Sequence, residues 1–246
     1  MLKVKNIGKN FGGVKAVDDL SFYVDKGEIV GLIGPNGSGK STTINLICGV
    51  FPVDLGNIFV DNQNISRLPT HERVANGISR TFQNIRLFKD LSVWQNVWVA
   101  LQQDSKQSSG WIQEWFGNST IQKEKIKEIL AFSGLGNRFN DLAGNLSFGE
   151  QRRLELARAI ASKPKLILLD EPAAGMNSDE VADLRQRILD LKKLGLTVLL
   201  VEHVMELVMN VVDRIVVLNF GKKIAEGSPE NIQNNEDVQK AYLGGA

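Results

Sequence analysis

Gly-Pro-Asn-Gly-Ser-Gly-Lys-Ser at residues 34–41, entered from Glu28–Ile33 and leaving into Thr42–Ile47, decides how the rest of the chain is read. The incoming segment reads as a strand and the outgoing one as a helix, so the glycines form a loop between them. Glycines at 34, 37 and 39 let backbone N–H groups turn inward around phosphate oxygens with no Cβ in the way. The helix N-terminus adds a partial positive charge at the same point. Lys40 is placed to reach β- and γ-phosphates, and the Ser41 hydroxyl to ligate Mg²⁺. The stretch predicts a nucleoside triphosphate site.

A second feature sits at another strand end. Leu166–Leu169 is an unbroken apolar run, the mark of a strand buried on both faces of a parallel sheet. It delivers Asp170 and Glu171 to the sheet's C-terminal edge, where open α/β sheets bind their ligands. Asp170 suits a Mg²⁺ shell, and Glu171 suits orienting or deprotonating an attacking water, a role worth roughly 10²–10⁴-fold in rate. Upstream, Leu-Ser-Phe-Gly-Glu at 146–150 opens a helix bearing Leu154, Ala157 and Ile160. Ser147 and Glu150 have the spacing of a capping box, and Gly149 keeps a close approach to backbone open. A capped start also aims N–H groups and the helix dipole outward, as gripping a γ-phosphate on another molecule requires. The two readings hold together, and the second implies a site shared between two chains.

The length of 246 residues fits one large α/β domain. With 29 Lys+Arg against 28 Asp+Glu the chain has no basic field, which argues against a nucleic-acid binder. Cys48 is the only cysteine, so an internal disulfide is excluded and a buried thiol at a helix end is expected. Apolar runs such as Val30–Ile33 and Leu196–Val201 are far short of the ~20 residues a membrane span needs. The N-terminal Met-Leu-Lys-Val-Lys-Asn-Ile alternates like a strand and offers no export core. A soluble, cytoplasmic chain is expected, with any membrane role supplied by a partner.

Three zones follow. The first holds strands at Leu2–Ile7 and Leu20–Val24, then Asn57–Val60 with Asp61-Asn62 as a turn. The second, about 84–155, reads as helical: Ser92 and Gln95 cap one helix, and Ile121–Phe132 forms another that stops near Gly134. Between them Gln102–Thr120, rich in Gln, Ser and Gly, reads as a flexible insert carrying Trp111, Trp115 and Phe116. Trp94 and Trp98, four apart, are expected to pack in this zone. The third zone returns to strands at Leu196–Val201 and Arg214–Leu218. A helix over Val181–Leu194 is closed by Gly195, and Ser228-Pro229 opens a helical tail.

With these motifs in this order, the chain resembles the ATP-binding-cassette (ABC) ATPases over nearly its whole length. The resemblance implies an α/β P-loop NTPase fold with a RecA-like core, an antiparallel β subdomain and an inserted α-helical subdomain. The core falls at about 1–83 and 156–246, the helical piece at about 84–155. ATP and Mg²⁺ are the implied cofactors, with Gly34, Pro35, Asn36, Gly37, Ser38, Gly39, Lys40, Ser41 and Thr42 on the nucleotide. Phe11 resembles the aromatic that stacks on adenine. Gln83, in Thr-Phe-Gln-Asn, resembles the glutamine that senses Mg²⁺ and the attacking water, and joins Ser41 and Asp170 at the metal. His203 resembles the switch histidine on the γ-phosphate, and with Glu171 and Gln83 completes the implied catalytic set. Ser147, Phe148, Gly149 and Glu150 stand where the family grips the partner's ATP, and Asn177 lies in its dimer-contact loop. Phe148 and Glu150 depart from the usual Leu-Ser-Gly-Gly-Gln, and Asn177 replaces a common aspartate. Neither departure removes a catalytic group, though Glu150 brings a carboxylate toward phosphate unless it turns into the cap.

Glu-Pro-Ala-Ala-Gly-Met-Asn, Thr-Phe-Gln-Asn-Ile-Arg-Leu-Phe, Val-Glu-His-Val-Met-Glu-Leu-Val-Met and the terminal Ala-Tyr-Leu-Gly-Gly are similar to the ATP-binding subunits of branched-chain amino-acid importers. Urea and amide importers share much of this pattern. The implied partners are a second ATP-binding subunit, identical or not, two membrane permease subunits and an extracytoplasmic solute-binding protein, with no nucleic acid. The implied location is the cytoplasmic face of the cell (inner) membrane, through the permease. Ile85, Leu87 and Phe88 suit either a permease groove or the local core. A non-transport ABC ATPase is the rival reading, and a nucleotide kinase or GTPase would not need Leu-Ser-Phe-Gly-Glu.

Overall fold

A computed structural model describes residues 1–101 and 119–243. Trp111, Trp115 and Phe116 of the expected insert lie outside the described residues. The chain divides into two compact units, Met1–Arg80 with Lys165–Ala246, and Thr81–Pro164. The sequence reading puts the inner piece at about 84–155; the helix Phe148–Ala161 runs unbroken past residue 155, and the unit closes after it.

Two sheets build the first unit. β1 (Leu2–Phe11), β2 (Val14–Val24), β4 (Leu55–Val60) and β5 (Gln63–Asn64) form an antiparallel sheet in the order β2-β1-β4-β5. Alternation drives it, with Leu2 and Val4 buried and Lys3 and Lys5 exposed. Asp61 and Asn62, at φ 48° and 65°, make the left-handed turn between β4 and β5 where the sequence places it. The second sheet runs β10-β9-β3-β8-β7-β6. Here β3 (Ile29–Ile33), β6 (Ile78–Arg80), β7 (Leu166–Asp170), β8 (Thr197–Val201) and β9 (Arg214–Asn219) are parallel, and β10 (Lys222–Gly227) is an antiparallel edge. Every residue of β3, β7 and β8 is buried, which is why these strands are apolar except for Asp170 at the end of β7 and Thr197 at the start of β8.

Helices α1 (Lys40–Cys48), α2 (Thr70–Ala75), α6 (Ser178–Lys193), α7 (Met205–Val211), α8 (Pro229–Gln233) and α9 (Glu236–Leu243) complete this unit. One core joins Leu20 and Phe22 of the first sheet to Ile44 and Ile47 of α1 and to Leu168 and Leu199 of the second sheet. Cys48 is buried in it, as expected, and burial pushes its thiol up to about 11. Arg73 is buried beneath α1 and donates to the Leu46, Ile47, Ser66 and Leu68 carbonyls, covering the last turn of that helix with a cation.

The inner unit is helical. α3 (Val93–Leu101), α4 (Ser119–Phe132) and α5 (Phe148–Ala161) pack Val97, Ile126, Leu130, Leu154 and Ala157 into a separate core. The Ser92–Gln95 box is present, with the Ser92 N–H donating to Gln95 Oε1 at 2.8 Å. Trp94 and Trp98 pack half-buried against this core, and Trp94 stacks on Phe139 with centroids 6.1 Å apart. Leu87 packs there too, whereas Phe88 is exposed and carries the Arg158 guanidinium over its ring. Among the described residues no helix is long and apolar enough to cross a membrane.

Candidate nucleotide site

The loop between β3 and α1 has the shape its glycines predict. Gly34 lies at φ 150°, and a Cβ there would stand 2.1 Å from the Leu218 carbonyl oxygen. Gly39, at φ 104°, would put a Cβ 2.5 Å from the Ala16 oxygen. No side chain caps the N-terminus of α1, so its first N–H groups and its dipole face the loop. Lys40 lies buried across the loop and donates to the Gly34 and Pro35 carbonyls at 2.7 and 2.9 Å. Burial lowers its pKa, and the nearby Glu171 and Asp170 carboxylates oppose that shift. The Ser38 hydroxyl is buried without a hydrogen-bond partner, inside the cradle that a Gly34 Cβ would fill. An orphaned donor in a glycine cradle at a helix start fits a phosphate oxygen. Ser41 is exposed at the first turn, with Thr42 beside it, while Asn36 and Gly37 form the exposed rim with Pro35 half-buried next to them. Tyr242, near the end of α9, reaches this loop; burial raises its hydroxyl pKa and a hydrogen bond with the Gly34 backbone opposes that.

At the end of β7 the Asp170 carboxylate is nearly buried and accepts from Arg80 at 2.7 Å. The other arm of the Arg80 fork donates to Asn45 Oδ1 of α1, also at 2.7 Å. Glu171 follows at φ 47°, a left-handed conformation that costs a non-glycine residue about 1 kcal/mol or more. Its N–H donates to the Val201 carbonyl at 2.8 Å, which extends the β7–β8 ladder by one bond. His203 stands just beyond β8 with its ring half-exposed and Nδ1 3.6 Å from Glu202 Oε2. Phe11 ends β1, exposed on one face and edge-packed on Phe51 with centroids 5.2 Å apart. Asn177 caps α6, its side-chain oxygen accepting from the Glu180 N–H at 3.0 Å, so only its amide NH₂ is left to donate elsewhere. Ser41 and Asp170 are hard oxygen donors that suit Mg²⁺. Among the described residues no three His, Cys, Asp or Glu side chains converge on a metal position.

The other predicted residues belong to the inner unit. Gln83 is exposed, and its carbonyl and that of Phe82 accept from the Arg152 guanidinium of α5. Arg152 is itself paired with Glu155 at 3.2 Å, both buried, and Glu155 accepts the Arg86 N–H at 2.9 Å. Burial raises the Glu155 pKa, and the Arg86 N–H and Arg152 oppose the shift. The helix that begins at Ser147 thus fixes the main chain of Gln83. Ser147 caps that helix reciprocally: the Glu150 N–H donates to Ser147 Oγ at 3.3 Å and the Ser147 N–H to Glu150 Oε2 at 2.9 Å. Arg138 takes the remaining Glu150 oxygen at 2.9 Å. The Ser147 backbone bond and Arg138 hold the Glu150 carboxyl below its usual range. Ser147 and Phe148 are exposed and Gly149 is buried, so the turn points outward with its carboxylate folded into the cap.

A family model described as "ABC transporter" matches residues 17–174. The chain belongs to the ABC transporter ATPase family. A second model, described as "Branched-chain amino acid ATP-binding cassette transporter", matches residues 222–246. The chain is 39% identical to the high-affinity branched-chain amino acid transport ATP-binding protein BraF of Pseudomonas aeruginosa, over 100% of this chain and 98% of that one. It is equally identical to LivG of Escherichia coli over the same shares. It is also 38% identical to the lipopolysaccharide export system ATP-binding protein LptB of Haemophilus influenzae, over 99% and 97%. The ADP conformation of MJ1267, an ATP-binding cassette of an ABC transporter, superposes with a TM-score of 0.86 at 34% identity, covering 99% and 98%. A dimeric post-hydrolysis structure of the cassette MJ0796 with ADP and Pi gives 0.79 at 27% identity, covering 93% and 99%. The fold class and the ATPase activity implied by the motifs hold: this ABC cassette binds and hydrolyses ATP.

Four residues at these sites escape the motif reading: Arg80, Arg152, Glu202 and Tyr242. Only Glu202 carried a local signal, a charge set directly after a buried strand.

Proposed function

We propose that the chain is the ATPase subunit of an importer for branched-chain amino acids, working as one of two cassettes that close around ATP. Lys40, Ser41, Asp170 and Glu171 of one chain and the Ser147 turn of its partner would share each nucleotide. The outward, capped Ser147 turn carries this reading. Its one acidic residue is tied to the cap and to Arg138, so the N–H end of α5 is presented to a γ-phosphate without a loose carboxylate. Mg²⁺, held through Ser41 and Asp170 with Gln83 as the sensor, would neutralise charge on the transferring phosphoryl group. Phe11 would stack on adenine, Glu171 would orient or deprotonate the water, and His203 would contact the γ-phosphate.

ATP bridging the halves favours closure, and hydrolysis removes the bridge; such a population shift needs only a higher affinity for the closed state. The partners in this reading are a second cassette, two permeases and an external solute-binding protein, which would hold the chain at the cytoplasmic face of the membrane. Branched-chain substrates are supported by the C-terminal family match and by the likeness to BraF and LivG. An exporter ATPase is the second reading, supported by the likeness to LptB.

Glu171→Gln tests the shared site: with saturating ATP and Mg²⁺ the variant should elute as a dimer and hydrolyse slowly. A monomer under those conditions refutes the shared site. Co-purification from the native membrane then decides the substrate class. An extracytoplasmic leucine-binding partner supports the importer, and a lipid-export permease supports the second reading.

A further inference from the structure

The Glu202 side chain is fully buried, directly after the five apolar residues of β8. A carboxylate is costly to bury unless its oxygens are satisfied, and here three backbone donors satisfy it. Oε1 accepts the Ala173 N–H at 2.8 Å. Oε2 accepts the N–H groups of His203 and Val204 at 2.8 and 3.1 Å. One side chain thus links the loop after β7 to the loop after β8. The β7–β8 ladder ends where the Glu171 N–H meets the Val201 carbonyl, and two residues on Glu202 takes up the connection. Glu171 is bracketed by these two anchors while holding its left-handed backbone. The opposite oxygen fixes the main chain that carries the His203 ring.

We propose that Glu202 is a positioning residue that sets the Glu171 turn and His203 in a common register, so that the water-directing and γ-phosphate-contacting groups move as one. The proposal rests on the reading of Glu171 and His203 given above. Two variants test it. In Glu202→Gln the amide oxygen is expected to keep the two donors now on Oε2, which turns the NH₂ toward the Ala173 N–H and breaks that tie. Glu202→Asp keeps the charge, but its shorter arm serves only the neighbouring His203 and Val204.

Both variants should therefore lose protection of the Ala173 amide in hydrogen exchange while keeping that of His203 and Val204. Both should lose about 10- to 100-fold in kcat, the scale of a ~1 Å misplacement, with KM for ATP within about twofold of wild type. A purely electrostatic role would leave Glu202→Asp at wild-type kcat, and that outcome overturns the proposal. So does unchanged exchange at Ala173 in both variants, a readout that stands even if hydrolysis is lost for other reasons. Glu171→Gln run in parallel separates the two levels. If it hydrolyses ATP like wild type, the underlying reading fails; if it is inactive while both Glu202 variants are normal, only the positioning role falls.

Discussion

Replacing Arg80 with methionine removes a charge but little volume, and its cost can be worked from the contacts. The Arg80–Asp170 pair spans 2.7 Å, with side chains only 12% and 6% exposed. Removing one partner from a buried pair typically costs about 3–5 kcal/mol, because the remaining charge keeps its desolvation penalty. Two effects trim this figure. Lys40 sits close enough to interact with Asp170, and Asn45 is half-buried, so water can replace its lost bond. The expected loss for Arg80→Met is about 3 kcal/mol, near the low end of that range. Urea unfolding followed by far-UV circular dichroism measures it. Arg80→Lys keeps the charge without the fork to Asn45 and should recover about half of the loss. Because Asp170 is proposed to face Mg²⁺, Mg²⁺-ATP should raise the midpoint of Arg80→Met more than that of wild type. A loss below about 1 kcal/mol, the level of an exposed pair, would refute the reasoning. Equal stabilisation of both proteins by Mg²⁺-ATP would refute its metal half.

Four further outcomes follow from contacts elsewhere in the chain. Ser147→Ala should cost about 1 kcal/mol in urea unfolding, the usual worth of an N-cap. Glu150 has a folded pKa below its ordinary value, so its contribution is present above the usual carboxylate range and is lost as pH falls through that depressed value. The difference in midpoint between wild type and Glu150→Gln should accordingly be large at about pH 7 and shrink below about pH 4. Cys48, buried and with its thiol at about 11, should stay silent toward a disulfide reagent at about pH 8 and react fully once urea is added. Gly34→Ala places a methyl 2.1 Å from the Leu218 oxygen at a φ that L-residues avoid, and should abolish binding of a fluorescent ATP analogue.

The parts of the site legible in the sequence are those whose cause is local. The phosphate loop, the Asp170–Glu171 strand end, the Ser147–Glu150 and Ser92–Gln95 boxes and the Asp61-Asn62 turn each depend on residues a few positions apart. Arg80 meets Asp170 across 90 positions, Arg152 meets Gln83 across 69, and Glu202 meets Ala173 across 29. Nothing in a short window marks such partners. Among the elements, β6 is three residues long, and β10 opens Lys222-Lys223 with no buried residue, so neither shows the apolar run that exposes β7 and β8. Glu150 shows the middle case: its spacing announced a cap, but only the structure shows Arg138 occupying the second oxygen. The substrate class is a different matter. An ATPase subunit touches nucleotide and protein, so no residue in it is selected by the chemistry of the solute.

Some of the proposed site residues sit on loops, and each unit ties two of them together. In the first unit Glu202 joins the Glu171 turn to His203. In the inner unit α5 begins at Ser147 and, one turn later, grips the Gln83 main chain through Arg152. In the proposed mechanism Ser147 reads the partner's ATP while Gln83 reads the chain's own. A single rigid helix would then carry both readings, since its backbone bonds are internal and its length cannot change. A displacement of α5 at Ser147 would carry the Gln83 main chain with it through Arg152. Coupling between two nucleotides would need no long chain of contacts, only a helix with a residue of each kind fixed to it.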